Sequence, residues 1–380
     1  GFNGTVGQPS AQVIDGSLKF DNDKSQYLTR TPGSAGNRRT WTWSGWLKID
    51  GDFANRNLNY GGNIFFGTHD GQPTWISFNV TTPYLQFSYH DGSSYRHNRS
   101  AAVFRDSSSW YHIVVALDTT QDAASSRLKM YVNGTQLNEF STSYTIPQNT
   151  QLGFNNTYPH NLGASSANTS GGAYDHFSGS LSNAYFIDGA ALGPENFGFT
   201  DPLTNTWRPK KYNHRTDLYG VTWSSALVGD ASGFQAAATA ADGFNGKTGT
   251  ADNSYAQNNT GSNPSTITFT PVGGIKFNSS IQVYLINAAN TVNVNGEGAQ
   301  SIAANEWVTV KTGSGTLNTL VFSRASTNGA SFGGIRIDGH ILIDAQNDNS
   351  FYLPMDGNSP IGQDKSGKGN DWTPVNFGGS

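Results

Sequence analysis

Aromatic rings and planar polar groups coincide in three short stretches. These are His90-Asp91-Gly92-Ser93-Ser94-Tyr95-Arg96-His97, Asn156-Thr157-Tyr158-Pro159-His160 and Tyr174-Asp175-His176. A tyrosine can lay its ring on the apolar face of a sugar while its hydroxyl stays wet. Charged and imidazole groups beside it can bond the sugar hydroxyls. His90, Asp91, Tyr95, Arg96, Tyr158, His160, Tyr174, Asp175 and His176 are therefore the candidate glycan-binding residues. His69-Asp70 and His90-Asp91 each precede a glycine, so they read as matching turn tips on one rim.

Other chemistries find less support. Glycoside hydrolysis needs two carboxylates across the sugar, usually glutamates. The chain has 23 Asp but only 4 Glu, at 139, 195, 297 and 306, and these are isolated. Gly329-Ala330-Ser331-Phe332-Gly333 matches Gly-x-Ser-x-Gly by letter. It leads into a strand pattern, whereas a nucleophile elbow needs a helix. Phosphate loops and dinucleotide fingerprints are absent. The eight histidines show no close zinc spacing, and His112 sits inside an apolar strand. The expectation is a protein without catalytic activity. Calcium is the one cofactor candidate, through Asp21 and Asp23 or Asp364 and Asp371, because short oxygen side chains in loops suit that ion. The same residues also build Asx-turns without any metal.

Composition narrows the class. Charged residues make up 13% and glycine is abundant, with 45 in 380 residues. Aspartate and asparagine outweigh glutamate, which favours turns over helices. Aromatic richness completes an all-β reading. There is no cysteine, so disulfides and thiolate sites are impossible. A net charge of −4 and the lack of a basic block beyond Arg208-Pro209-Lys210-Lys211 argue against nucleic acid. No apolar run reaches about 18 residues, so no membrane insertion is expected. The first residue is Gly1, which suggests processing or a longer parent chain.

The elements that must carry these residues are strands. Over 41–49, Trp41, Trp43, Gly45, Leu47 and Ile49 share one face. Over 110–118 both faces are largely apolar, as in a strand central to a sandwich. Asn133-Gly134 between apolar runs predicts a type I′ hairpin. Three parts follow: residues 1–212 as a jelly roll, 213–345 as a second, smaller β-sandwich, and 346–380 as a Gly-, Asn- and Asp-rich tail. Residues 229–241 lack a helical apolar face.

Several phrases carry a family resemblance. They include Ser17-Leu18-Lys19-Phe20, Trp41-Thr42-Trp43-Ser44-Gly45-Trp46, Trp110-Tyr111-His112-Ile113-Val114-Val115 and Gly179-Ser180-Leu181-Ser182-Asn183-Ala184-Tyr185-Phe186-Ile187-Asp188-Gly189. Together they resemble a laminin-G-like, concanavalin-A-type jelly roll. Tyr27-Leu28-Thr29-Arg30-Thr31-Pro32 and Trp207-Arg208-Pro209-Lys210-Lys211-Tyr212 are similar to virion proteins of marine tailed phages, of tail-fibre, appendage or capsid-associated type. The resemblance implies a structural or adhesive role on a virion or outside the cell. Its partners would be further copies, other virion proteins or a cell-surface glycan. A secreted bacterial adhesin or filament subunit and a pure cement protein stay open as alternatives. Asn183 stands where such modules often carry an acid, which puts calcium there in doubt. Asp364-Lys365-Ser366-Gly367-Lys368-Gly369-Asn370-Asp371 looks like the opening of such a module. On that reading the tail serves assembly through Phe351, Tyr352, Leu353 and Trp372, and strand donation to a neighbouring subunit is one form it could take.

Overall fold

The alternation over 41–49 becomes a ten-residue strand, Thr40–Ile49, whose Trp41, Trp43, Leu47 and Ile49 enter the core. A computed structural model describes residues 15–50, 62–69, 73–166 and 173–378. In chain order the strands begin with β1 (Leu18–Phe20), β2 (Tyr27–Arg30), β3 (Thr40–Ile49), β4 (Gly62–Thr68), β5 (Thr74–Asn79) and β6 (Tyr84–His90). They continue with β7 (Tyr95–Val103), β8 (Tyr111–Asp118), β9 (Leu128–Val132), β10 (Thr135–Gln136), β11 (Phe140–Thr142) and β12 (His160–Leu162). The long strand Gly179–Asp188 follows. The described residues contain no α-helix, only short 3-10 turns such as Ala240–Phe244.

Two antiparallel sheets face each other. One is seven-stranded: six strands run in the order β1, Gly179–Asp188, β3, β8, β9, β10, and Phe351–Leu353 also pairs with Gly179–Asp188. The other is eight-stranded and runs β11, β7, β6, β5, β4, β12, β2 and then Thr373–Val375. Rings fill the space between them: Phe66 stacks on Phe154 at 4.3 Å and Trp41 on Phe186 at 5.8 Å. Each such ring removed from water contributes about 1.5–3 kcal/mol. The β9–β10 turn has the expected form, with positive φ at Asn133 (49°) and Gly134 (81°).

The expected assembly tail takes a different place. Phe351–Leu353 pairs with Gly179–Asp188 in the seven-stranded sheet, and Thr373–Val375 pairs with β2 in the eight-stranded sheet. Residues 346–378 thus give one strand to each sheet of their own jelly roll. The reason lies in the side chains: Phe351, Leu353 and Trp372 are buried in the same core as Trp41, while Tyr352 packs on Tyr185 behind the sheet. The four residues assigned to subunit assembly are core residues.

The chain between these two passages builds a second core. A five-stranded sheet, which includes Ser265–Phe269, Leu320–Arg324 and Asn290–Val294, covers a four-stranded sheet of Trp307–Thr312, Ser280–Tyr284, Gly334–Ile337 and His340–Ile341. Phe269, Ile281, Val283, Val292, Phe322, Ile335 and Ile337 lie between them. Buried polar contacts join the two sandwiches. Arg336 pairs with Asp118, and Trp307 Nε1 donates to Thr120 Oγ1 at 3.1 Å. Thr248 Oγ1 donates to the Thr120 carbonyl at 2.5 Å. At the end of the Gly179–Asp188 strand, the Asp188 carboxylate accepts from Asn37 N (2.9 Å), Gln346 Nε2 (2.8 Å) and Asn349 N (3.1 Å).

Candidate carbohydrate-binding site

The β6–β7 hairpin collects four of the nine candidates at one tip. His90 pairs with Tyr95 across the strands, and the Asp91 amide closes the turn onto the Ser94 carbonyl at 3.0 Å. Gly92 has φ 98°, a left-handed value that suits glycine. Asp91 organises the tip. Its Oδ1 accepts from Ser93 N (2.9 Å), Ser94 N (2.8 Å) and Ser93 Oγ (2.8 Å), and its Oδ2 accepts from Arg96 Nε (2.6 Å). The amides, the Ser93 hydroxyl and the Arg96 guanidinium hold its carboxyl well below the usual carboxylate range. Arg96 is steered in turn over the Tyr144 ring, 5.0 Å from its centroid.

Strand alternation sorts the hairpin's faces. Phe87 and Tyr89 enter the core, so Ser88, His90, Tyr95 and His97 lie on the outer face. Tyr95 is 39% exposed there. Its ring meets His90 edge-on at 5.0 Å and Trp75 at 5.5 Å, and runs nearly parallel to His97, 16° off at 6.3 Å. His97 Nδ1 is 2.9 Å from Ser88 Oγ, and burial lowers its pKa, so the ring is neutral at neutral pH. The result is an open aromatic platform of Tyr95, His90 and His97 on the outer face; Arg96, register partner of the core residue Tyr89, lies on the other face of the strand with Tyr144, tied to Asp91 at the tip. Such a surface can stack a sugar ring and bond its hydroxyls.

Trp75, His97 and Tyr144 belong to this cluster but are not among the nine candidates. Trp75 was legible: in Thr74-Trp75-Ile76-Ser77-Phe78, burial of Ile76 and Phe78 puts Trp75 on the other face. Tyr144 carries no local signal, because only packing brings it to Arg96.

The other candidates sit elsewhere. The register Tyr89–Thr74–Thr68–His160 puts the 156–159 loop at the same end of the sheet as the hairpin tip, three strands and about 14 Å away. His160 itself is not a ligand group. It is buried, with Nε2 accepting the Asn155 N–H at 2.9 Å and Nδ1 2.7 Å from the Tyr158 carbonyl. Burial drops its pKa to about 3 and fixes it as a neutral pin between Phe66 and Phe154. Tyr174, Asp175 and His176 lie alongside β4 at Ile64, four residues and about 13 Å from the rim. Tyr174 is exposed, Asp175 is buried, and His176 packs 5.7 Å from Tyr27. Of the predicted pair of turn tips, Asp70 lies outside the described residues.

In the acidic loops, donors of the chain itself engage carboxylate oxygens of Asp21, Asp364 and Asp371. Asp364 Oδ1 accepts from Tyr352 N (2.9 Å) and Ser366 N (2.8 Å), and Oδ2 from Ser366 Oγ (2.7 Å) and Asn370 N (2.9 Å). Asp371 Oδ1 accepts from Asp364 N at 2.8 Å. Asp21 accepts from Asp23 N at 3.0 Å and faces Lys24 at 3.5 Å. Oxygens turned to N–H donors shape loops as Asx-turns do. Among the described residues no three acidic or histidine side chains converge as metal ligands would.

One pairing resembles a catalytic dyad. Ser44 Oγ lies 2.9 Å from His112 Nε2, and Trp207 Nε1 donates to His112 Nδ1 at 2.8 Å. An indole nitrogen can only donate, so Nδ1 is the acceptor and Nε2 carries the proton. His112 therefore donates to Ser44 and cannot act as its base. Burial drops its pKa to about 3.

Residues 22–195 match the family described as the concanavalin A-like lectin/glucanases superfamily. Similar solved structures include a heptameric SAP-like pentraxin from Limulus polyphemus, 16% identical over 46% of this chain and 77% of that one, with a TM-score of 0.33. Domains LG4-5 of the mouse laminin alpha1 chain are 10% identical over 94% and 93%, at 0.32. The enzymatically active domain of bacteriophage CBA120 tailspike protein 2 is 10% identical over 55% and 34%, at 0.29. No curated protein matches the sequence. The chain is all-β, and its first sandwich is a laminin-G-like jelly roll of the concanavalin A type.

Proposed function

We propose that this chain is a non-enzymatic virion protein of a tailed phage, a fibre, appendage or capsid-surface subunit that presents the β6–β7 rim to a cell-surface glycan. The virion assignment rests on the sequence phrases that resemble such proteins. The carbohydrate assignment rests on one observation: an exposed Tyr95 ring held in place on the outer face by His90, Trp75 and His97. Pre-ordered groups lose little entropy on binding. A single shallow platform binds weakly, and many copies on one particle multiply that strength.

The test is a glycan array probed with the full chain and with Tyr95→Ala. Signal that disappears in the variant, with an unchanged melting curve, supports the rim as the sugar site. Signal retained by Tyr95→Ala removes it. Averaged electron micrographs of native particles test the virion reading: the chain must appear on a tail or capsid and not in free filaments.

A further inference from the structure

The second sandwich stands over the outer face of the seven-stranded sheet, and a cleft of about 500 Å³ opens between them. Its floor is β8 and β9, through Asp118, Lys129 and Tyr131. The 191–195 loop forms one wall, and Gln282 and Arg336 of the second sandwich form another. Adjacent strands place Gln282 opposite Arg336, so both meet the cleft together.

Arg336 is the informative residue. It is 5% exposed, its Nη2 bonds Asp118 and Thr120 Oγ1, and its guanidinium lies 3.8 Å from the Trp307 ring centroid. Its Nε has no acceptor among the described residues. A buried donor left unpaired costs about 1–3 kcal/mol, so this side of the cleft carries a strained polar contact. Acceptors stand nearby. Gln121 Nε2 donates to Asp118 Oδ2 at 2.6 Å and Gln282 Nε2 to Thr309 Oγ1 at 3.3 Å, which leaves both side-chain carbonyls without partners among the described residues.

We propose that this interdomain cleft binds a short neutral saccharide. Sugar hydroxyls both donate and accept, so separate hydroxyls can donate to the Gln121 and Gln282 carbonyls and accept from Lys129. An anion would face those carbonyls and Glu195, while a cation would face Arg336 and Lys129. The Asp118–Arg336 pair is internally neutral, and Lys129 balances Glu195 on the lining. The half-buried Tyr131 ring offers an apolar face for stacking. The volume lies in the usual range for small-ligand sites, which favour domain junctions. This site is on the opposite sheet from the β6–β7 rim and does not depend on it.

The experiment is titration of the full chain with maltose, cellobiose and lactose, read by calorimetry and by saturation-transfer NMR. Gln282→Leu and Tyr131→Ala are compared with the wild-type chain and with Tyr95→Ala. The expected result is binding of at least one disaccharide, weakened tenfold or more by Gln282→Leu and by Tyr131→Ala at unchanged melting temperature, and untouched by Tyr95→Ala. No binding of any of the three at millimolar concentration overturns the proposal and leaves a water-filled cleft. Binding that survives both cleft variants but disappears in Tyr95→Ala also overturns it and assigns the sugar to the rim alone.

Discussion

Tyr352 lies flat on Tyr185, with ring centroids 4.2 Å apart and planes 8° from parallel. The two are also register partners in the seven-stranded sheet. A residue near the C-terminus thus closes a sheet begun near the N-terminus, with the second sandwich inserted between. Deleting residues 346–380 should therefore unfold the jelly roll. Loss of Phe351, Leu353 and Trp372 alone removes roughly 5 kcal/mol or more of burial, comparable to a whole domain's stability. Calorimetry should show the cooperative transition lost. A truncated chain that melts like the full one, with only its oligomer mass changed, would restore the assembly role.

The Asp118–Arg336 pair sits where the two sandwiches meet, nearly free of solvent. Removing one partner strands a buried charge, so Arg336→Met or Asp118→Leu should each cost about 3–5 kcal/mol. The double variant should cost less than the sum of the two. Denaturant titration of all four proteins measures this, and simple additivity would argue that the charges do not interact.

Stability should fall on acidification. Burial drops the pKa of His112, His160 and His340 to about 3, against about 6.5 unfolded. Between these values the unfolded chain binds protons that the folded chain refuses, so each histidine removes about 1.4 kcal/mol per pH unit as pH falls below about 6.5. Asp188 acts in the opposite sense. Burial pushes its carboxyl up to about 7, against the amides of Asn37 and Asn349. The folded state therefore binds a proton that the unfolded state has lost, and stability rises as pH falls from about 7 to about 4. Asp188→Asn removes that opposing slope, so its acid loss should be steeper than wild type across this window. Thermal midpoints from pH 4 to 8 read the difference, and parallel curves would refute it.

Ser44 should be inert. With His112 Nε2 protonated by the constraint from Trp207, a fluorophosphonate probe should leave the folded chain unlabelled. Labelling at Ser44 would show that the tautomer is wrong.

Much of the first sandwich was legible because burial on one face writes a period-two pattern into each strand. The alternation over 41–49, the Asn133-Gly134 turn and the apolar 110–118 segment are local signals, and each has its expected place. The hairpin tip was legible too, because His90 to His97 are consecutive and a short turn brings them together. His160 shows the limit. Its loop reads as polar, but burial against Phe66 and Phe154 is a long-range event that turns a candidate ligand into a pin.

By itself the sequence determined the all-β class, the strand periodicities, the tight turns and the absence of disulfides, since these follow from residue type and near-neighbour spacing. Only the tertiary structure decided where the last strands pair. An exposed edge on either sheet of the same chain, or of a second chain, would accept Phe351–Leu353 equally well by pattern. The choice depends on which edge offers Tyr185 on one side and the Phe66–Phe186 core on the other. The tertiary structure also placed Arg336 beside Asp118, residues 218 positions apart. Contacts at such separations leave no periodic trace, because they depend on the shapes of two finished surfaces.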